Sequence, residues 1–423
     1  ATAGESKALI SGGSITINGG GGPGAPSVLH RSGGDIEINT TITGGAVALD
    51  AGGSIIASGG MDIVADTAVL LAGNAIGAAG ASIRTTVQTL GARSQTGDIW
   101  INESDAVVLR NAAVGGFLPN LASGLDAWGA EFNGLSAARN LDFVSGGSAQ
   151  ASAVSAGGSG RLVTRGFKAD ALRIGKNLDA NLGNTRVKQM TVGGSATVRS
   201  GSFDAENVVI RGRTDLDASG DIAIREFNPG GTVRMSGGNI SIGVSRSGDV
   251  VIDNIAARGR LTIDARNASL VDSDLQRDDT GVDIEADEAV LMAQSIGQRT
   301  NPLLVSIRKN RGLTLRNPTE TGERREAAYL WAHIRGFVGG KNYGRQVLLD
   351  GPAYGLAIFN RQVIGGDEAF LRELLRTAAF AVDVPELKAR QGIFGSPYFL
   401  HGFLQIADPI TRSRADFILY GFA

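Results

Sequence analysis

The sequence predicts an all-β protein: a parallel β-helix, or β-solenoid, followed by a small α+β carboxy-terminal module. Three observations carry this expectation. Short strand phrases opened by glycine recur over the first 310 residues. One unusual line occurs twice, as "MDIVADTAVLLAGNAIG" at 61–77 and "VDIEADEAVLMAQSIG" at 282–297. The aromatic residues gather at the carboxy-terminal end, with all five Tyr and nine of the fifteen Phe beyond residue 326.

The phrases come first. They include "GGSITI" (12–17), "GGDIEI" (33–38), "GGSII" (52–56), "TGDIWI" (96–101), "SGDIAI" (219–224), "GGNISI" (237–242) and "SGDVVI" (247–252). Each sets one or two small turn residues before alternating β-branched and polar residues. Period-two alternation describes a strand with one buried face. Gly with Asp, Asn or Ser is turn chemistry, because these residues tolerate positive φ and tight bends. Two-residue hairpin turns are rare between the phrases, which argues against a meander. No long amphipathic helix separates them, which argues against βαβ units. Short strands with glycine corners fit coils that stack like residue upon like residue.

The duplicated line is then one rung type used twice. Ile63, Ala65, Ile284 and Ala286 are expected to point inward, and Asp62, Asp66, Asp283 and Asp287 to face solvent or corners, where charge discourages edge pairing. Val69–Leu71 and Val290–Met292 should hold equivalent places on different coils. Ile36, Ile38, Val69, Ile99, Ile101, Ile222, Ile224 and Val290 complete the expected interior.

Composition supports a large folded structure. The chain has 423 residues, 62 of them Gly, yet 42% are hydrophobic, too many for a disordered glycine-rich linker. A net charge of −2 without charge runs gives no basic surface for nucleic acid. No apolar run approaches the roughly 20 residues of a transmembrane segment. The opening "ATAGESKALI" lacks the basic start and apolar stretch of a signal peptide and reads as a mature or trimmed end. The chain has no cysteine, which excludes disulfides and thiolate metal sites. That absence suits a protein exported through an oxidising periplasm.

The stretch 62–109 resembles the repeats of filamentous-haemagglutinin-type large exoproteins, bacterial surface proteins secreted by the two-partner route. The residues in that flow are Ile76, Gly77, Ile83, Thr85, Leu90, Ala92, Gly97, Ile99, Ile101, Asn102, Glu103 and Asp105. The second copy joins it through Ile296, Gly297, Asn301, Pro302 and Leu303. The resemblance covers roughly residues 1–315. "LPNL" at 118–121 differs from the Asn-Pro-Asn-Leu signature of that family's secretion domain. The resemblance implies a β-helix at the surface of a Gram-negative-type bacterium, or outside it.

Two regions break the array. Residues 114–145 carry Phe117, Trp128, Phe132 and Phe143 without a clean strand period. They are expected to form an aromatic insertion that packs back onto the coil. The domain boundary falls at 316/317, with the β-helix over 1–316 and a capping or assembly module over 317–423. In that module "GGDEAFLRELLRTAAFAVDVPEL" (365–387) reads as a helix, with Asp367 as N-cap and Phe370, Leu371, Leu374, Leu375 and Ala378 on one face. Strand-like runs surround it at 345–351, 354–360, 398–407 and 415–422.

Catalytic constellations are sparse. His30, His333 and His401 lack metal-ligand spacing, and "GSPYF" around Ser396 lacks the nucleophile elbow. "NGGGGPG" at 18–24 has no phosphate-binding Lys. No calcium nonapeptide is present. No catalytic residue, metal or cofactor is assigned, and the chain is read as a non-enzyme. The leading expectation is an extracellular structural solenoid whose copies associate head to tail into a surface or matrix filament. The assembly residues would be Leu9, Ile15 and Ile17 on the open amino-terminal edge, and Tyr398, Phe399, Phe403, Phe417, Leu419, Tyr420 and Phe422 in the carboxy-terminal module. The alternative is the stalk of a secreted adhesin that binds a cell-surface glycan or receptor. A polysaccharide-acting β-helix enzyme ranks third, because "DASGDIAIRE" (217–226) and "DSDLQRDD" (272–279) supply carboxylates and Arg.

Overall fold

A computed structural model describes residues 7–11, 13, 15–17, 28–58, 62–110, 134–273, 282–298, 301, 303–308, 313–316, 329–338, 341–352 and 404–405. No helix occurs among the described residues. Up to Val338 they form stacked parallel β-solenoid coils. The chain divides into two compact units, residues 1–216 and 217–423.

In the first unit the strands stack with side chains in register. Gly160 pairs with Leu178 and Leu178 with Ala196, so each of these coils is 18 residues long. Over Gly160–Ile174, Leu178–Val192 and Ala196–Ile210 burial alternates almost residue by residue, as a strand with one apolar face requires. One inner column runs Ile83, Ile101, Phe143, Leu162, Ala180, Val198. Another runs Ile36, Ile55, Ile76, Ile99, Leu141. Large and small residues alternate where the interior is narrow: Phe167, Thr185 and Phe203 follow one another, all within 3% of full burial. Burying each ring contributes about 1.5–3 kcal/mol.

The recurring Gly-Asp and Gly-Asn phrases have a local cause. The Asx residue that opens a strand phrase accepts the amide of its counterpart on the next coil. Asp35 Oδ1 takes Ser54 N at 2.6 Å, Asp98 Oδ1 takes Asn140 N at 2.7 Å, Asn140 Oδ1 takes Ser159 N at 2.9 Å, and Asn177 Oδ1 takes Ser195 N at 2.9 Å. These bonds satisfy amides at corners that strand pairing leaves out. The glycine before the phrase serves close approach: a Cβ on Gly193 would lie 2.1 Å from the Gly175 carbonyl oxygen.

The second unit repeats the scheme. Ile222, Ile240, Leu261, Ala289 and Leu313 hold one register column, and Ile224, Ile242, Ile263, Leu291 and Leu315 the next. A third runs Ile255, Ile284, Val305, Ile334. Asp221 Oδ1 takes Asn239 N at 2.7 Å, and Asn239 Oδ1 takes Arg260 N at 2.9 Å, so the Asx device recurs. Parallel pairing extends to Tyr329–Val338, which joins Ser295–Ile296 and Leu303–Ile307. The pattern then changes: Tyr329–Val338 pairs antiparallel with Lys341–Pro352, and that strand with Leu404–Gln405. The helix expected at 365–387 lies outside the described residues.

Several expectations need correction. Of the two places expected for them, Asp62 and Asp283 take corners and not solvent; they are 1% and 4% exposed. Asp66 is exposed, and Asp287 is half-buried against Arg308 at 3.2 Å. Ala65 and Val290 are half-buried rather than interior. The inward parity of Glu288–Ala293 belongs to Ala289, Leu291 and Ala293, which turns Val290 outward. Val69 is buried on the outer face, where it clusters with Leu71. Residues 134–145, placed in the insertion by the sequence, are two parallel coil strands, Gly134–Ala137 and Leu141–Ser145, with Phe143 fully buried. The remaining expected interior residues, Ile36, Ile38, Ile63, Ile99, Ile101, Ile222, Ile224, Ile284 and Ala286, are buried.

Candidate functional site

The amino-terminal edge of the first unit is the strongest candidate. Lys7–Ser11 pairs in parallel with Val28–Ser32, which puts Leu9 at the register of His30. Ile15–Ile17 pairs with Ile36–Ile38, which puts Ile15 at Ile36 and Ile17 at Ile38. Among the described residues neither strand has a partner on its other side. Gly13 lies between the two strands, and its carbonyl accepts a hydrogen bond from Ser32 Oγ. Such an edge presents N–H and C=O groups that another extended chain can pair with. The other expected assembly residues, Tyr398, Phe399, Phe403, Phe417, Leu419, Tyr420 and Phe422, lie outside the described residues.

Two shallow grooves mark the outer surface of the first unit. One, of about 630 Å³, lies beside the half-exposed Trp100 and is lined by Asp142, Arg161, Asp179, Thr197 and Arg199. Its charges are mutually engaged: Arg161 meets Asp142 at 2.8 Å, and Arg199 meets Asp179 at 3.9 Å. The other, of about 750 Å³, carries Gln88, Gln150, Lys168, Arg186 and Asp204. Arg186 and Asp204 are 3.4 Å apart. Among the described residues no group of three or more His, Asp or Glu is placed to hold a metal ion.

Of the four buried carboxylates among the described residues, Asp50, Asp62, Glu103 and Asp283, the last three accept backbone amides. Asp62 Oδ2 accepts the amide of Arg84 at 2.8 Å, with the Arg84 guanidinium at 3.8 Å. Burial pushes the Asp62 carboxyl above its usual range, and Arg84 only partly offsets this. Asp283 Oδ2 accepts Leu304 N at 2.6 Å. Glu103 is fully buried. It accepts the Thr85 hydroxyl at 2.7 Å, the Val87 amide at 3.2 Å and the Asp105 amide at 3.1 Å. Burial raises its pKa despite these bonds. In each case the carboxylate replaces a missing strand bond at a bend, so its role is architectural. The signal available was position: Asp62 and Asp283 each stand directly before an inward Ile.

His30 faces inward at the register of Leu49 and is 9% exposed, a core histidine. Comparison of the chain with family models, curated proteins and solved structures finds no match.

Proposed function

We propose that the chain is an extracellular structural β-solenoid, the subunit of a surface or matrix filament of a bacterium, in which copies associate head to tail. One observation carries the reading: Lys7–Ser11 and Ile15–Ile17 are each paired on one side only among the described residues. Main-chain hydrogen bonds from a second copy complete such an edge, and a contact between two different surfaces propagates unless rotation closes it. No catalysis enters this reading. The partner surface is assigned to the aromatic carboxy-terminal residues, with Tyr420 and Phe422 at its end.

Electron micrographs of the purified chain test it, together with sedimentation of two variants. Ala8→Pro with Thr16→Pro removes donors from the edge, since the N–H groups at the Ile15 register point to the following coil, as Ile36 N to Ser54 O shows, and deletion of residues 415–423 removes part of the proposed docking partner. Both should stay β-rich and lose fibres. Fibres from either variant, or a monomeric wild type at high concentration, sink the proposal.

The Trp100 groove favours a second reading, the stalk of an adhesin that binds a glycan or receptor. Trp100→Ala would then abolish binding to immobilised glycans and leave assembly unchanged.

A further inference from the structure

The corners of the first unit carry a line of positive charge that no run in the sequence announces. Backbone bonds stack these corners on one another: Gly158 N donates to Arg139 O, Lys176 N to Gly158 O, Gly194 N to Lys176 O and Gly212 N to Gly194 O. One column therefore reads Arg139, Gly158, Lys176, Gly194, Gly212, with Arg211 and Arg213 on either side of its last member. Segments 138–140, 157–159, 175–177, 193–195 and 211–213 contain these cations and no Asp or Glu. All four cations are exposed. Arg213 meets Asp215 at 4.0 Å; Arg139, Lys176 and Arg211 make no ion pair among the described residues.

The residues next to this ridge offer donors. Asn140, Asn177 and Ser195 line the groove of about 630 Å³ that holds Trp100. The Oδ1 atoms of Asn140 and Asn177 are taken by Ser159 N and Ser195 N, both at 2.9 Å, so each side chain presents its Nδ2 group, a donor. Ser195 Oγ accepts Arg213 N at 3.1 Å and keeps its hydroxyl proton to donate. The acids of the groove, Asp142 and Asp179, are matched by Arg161 and Arg199, which leaves the ridge charge in excess. A ligand seated there is rich in acceptors and anionic. Trp100, on the first coil of the groove, adds an aromatic face for the C–H face of a sugar ring.

Spacing selects among anionic chains. Parallel coils lie about 4.8 Å apart, and Arg139, Lys176 and the Arg211–Arg213 pair occupy alternate coils, so charge recurs about every 10 Å. Duplex DNA carries one charge per about 1.7 Å of axis, far denser than this ridge. Single-strand binding uses a series of aromatic platforms, whereas Trp100 is the one aromatic lining the groove. A sugar residue of a linear polysaccharide is about as long as the step between coils. A carboxylate on every second sugar then meets a cation on every second coil.

We propose that the Trp100 groove and the ridge of Arg139, Lys176 and Arg211 bind a linear acidic polysaccharide, with one carboxylate per disaccharide, laid across the coils. This rests on the reading of the chain as a glycan-binding stalk and names the class of glycan.

Titration of the full chain with hyaluronan oligosaccharides, which carry a carboxylate on every second sugar, tests the site. Their carboxyl-reduced forms are the neutral counterparts. The acidic form should bind, and more weakly in high salt. Arg139→Gln with Lys176→Gln should raise its Kd at least about tenfold, and Trp100→Ala should weaken it too. Arg225→Gln with Arg234→Gln, which removes exposed cations of the second unit, should leave the Kd unchanged. An equal loss with that control pair shows unspecific charge attraction and overturns the proposal. Carboxyl-reduced oligosaccharides that bind as tightly as the acidic ones, and lose binding in Trp100→Ala, overturn the acidic class and leave the glycan-binding reading standing. Binding of neither form overturns both. Single-stranded DNA that binds more tightly than the acidic oligosaccharide, and is released by the same ridge substitutions, makes this a nucleic-acid site and overturns the proposal.

Discussion

The carboxylates of Asp62 and Asp283 make the same bond on different coils: Asp62 Oδ2 accepts the amide of Arg84 at 2.8 Å, and Asp283 Oδ2 that of Leu304 at 2.6 Å. The main chain repeats too. Asp62 donates its N–H to Arg84 O and accepts from Ile42 N, while Asp283 donates to Leu304 O and accepts from Ile255 N. The duplicated line is a corner cassette: an Asp that gathers the next coil's backbone, then an Ile that enters the core.

Asp62→Ala and Asp283→Ala should each destabilise by about 1–3 kcal/mol, because each leaves a buried amide without its acceptor. Asp62→Asn and Asp283→Asn keep an acceptor oxygen and should recover much of the loss. Urea midpoints of the four variants decide this. An Ala variant as stable as wild type would show that another group, such as water, serves the amide.

Glu103 supplies a pH dependence. Its folded pKa is raised above the ordinary value of 4.5 by burial. The folded state therefore binds its proton more tightly than the unfolded chain, so this group favours folding below pH 4.5 and loses that contribution as pH rises through the folded value. Wild type should lose stability relative to Glu103→Gln between pH 4 and pH 7. Denaturant curves at both pH values read the difference, and a difference that is constant or of opposite sign refutes the assignment.

Gly193→Ala should destabilise by about 1–3 kcal/mol, since its Cβ would lie 2.1 Å from a backbone oxygen that a facing coil holds in place. Gly13→Ala should be near neutral, because nothing lies within 4 Å of a Cβ there. Thermal unfolding of the pair separates close approach from a general aversion to changing glycine.

Phe203→Ala should lower stability by about 3–5 kcal/mol, because the ring is 2% exposed and its register neighbours cannot close the cavity. Lys188→Ala removes an ion pair with Asp170 at 2.7 Å whose partners are both more than half exposed; water screens such a pair, so its effect should be much the smaller of the two. A reversed order in calorimetry would contradict the inner-column account.

The stacked strands were legible because Ile36 and Ile38, or Ile222 and Ile224, alternate with polar residues after a glycine corner. Parity failed where alternation was absent. In "EAVLMA" several apolar residues adjoin, and only pairing with Leu261 and Ile263 decides that Ala289 and Leu291 enter the core. For Asp62 and Asp283 the sequence left solvent and corner open, because an acidic residue beside a strand reads as solvated, whereas burial here is set by an amide from a coil about 20 residues away. Phe143 looked like part of an insertion because its own strand is only five residues long; its place is fixed by Ile101 and Leu162 on either side. Of the proposed assembly residues, Leu9, Ile15 and Ile17 lie on strands that alternation makes readable. The partners that complete an edge belong to another surface, which a single sequence does not pair with it.

The departure after Leu109 and the return at Leu135 have an evolutionary consequence. Over 20 residues are spliced into one rung, between Leu109 and Leu135, and the registers before and after the splice are those of an uninterrupted strand. Because each rung answers only to its two neighbours, an interruption of this kind is a point of free growth. New sequence can be acquired there, diversified and lost without renegotiating the rest of the molecule. In a lineage under changing selection, variety is then expected to accumulate at such interruptions while the rungs stay monotonous.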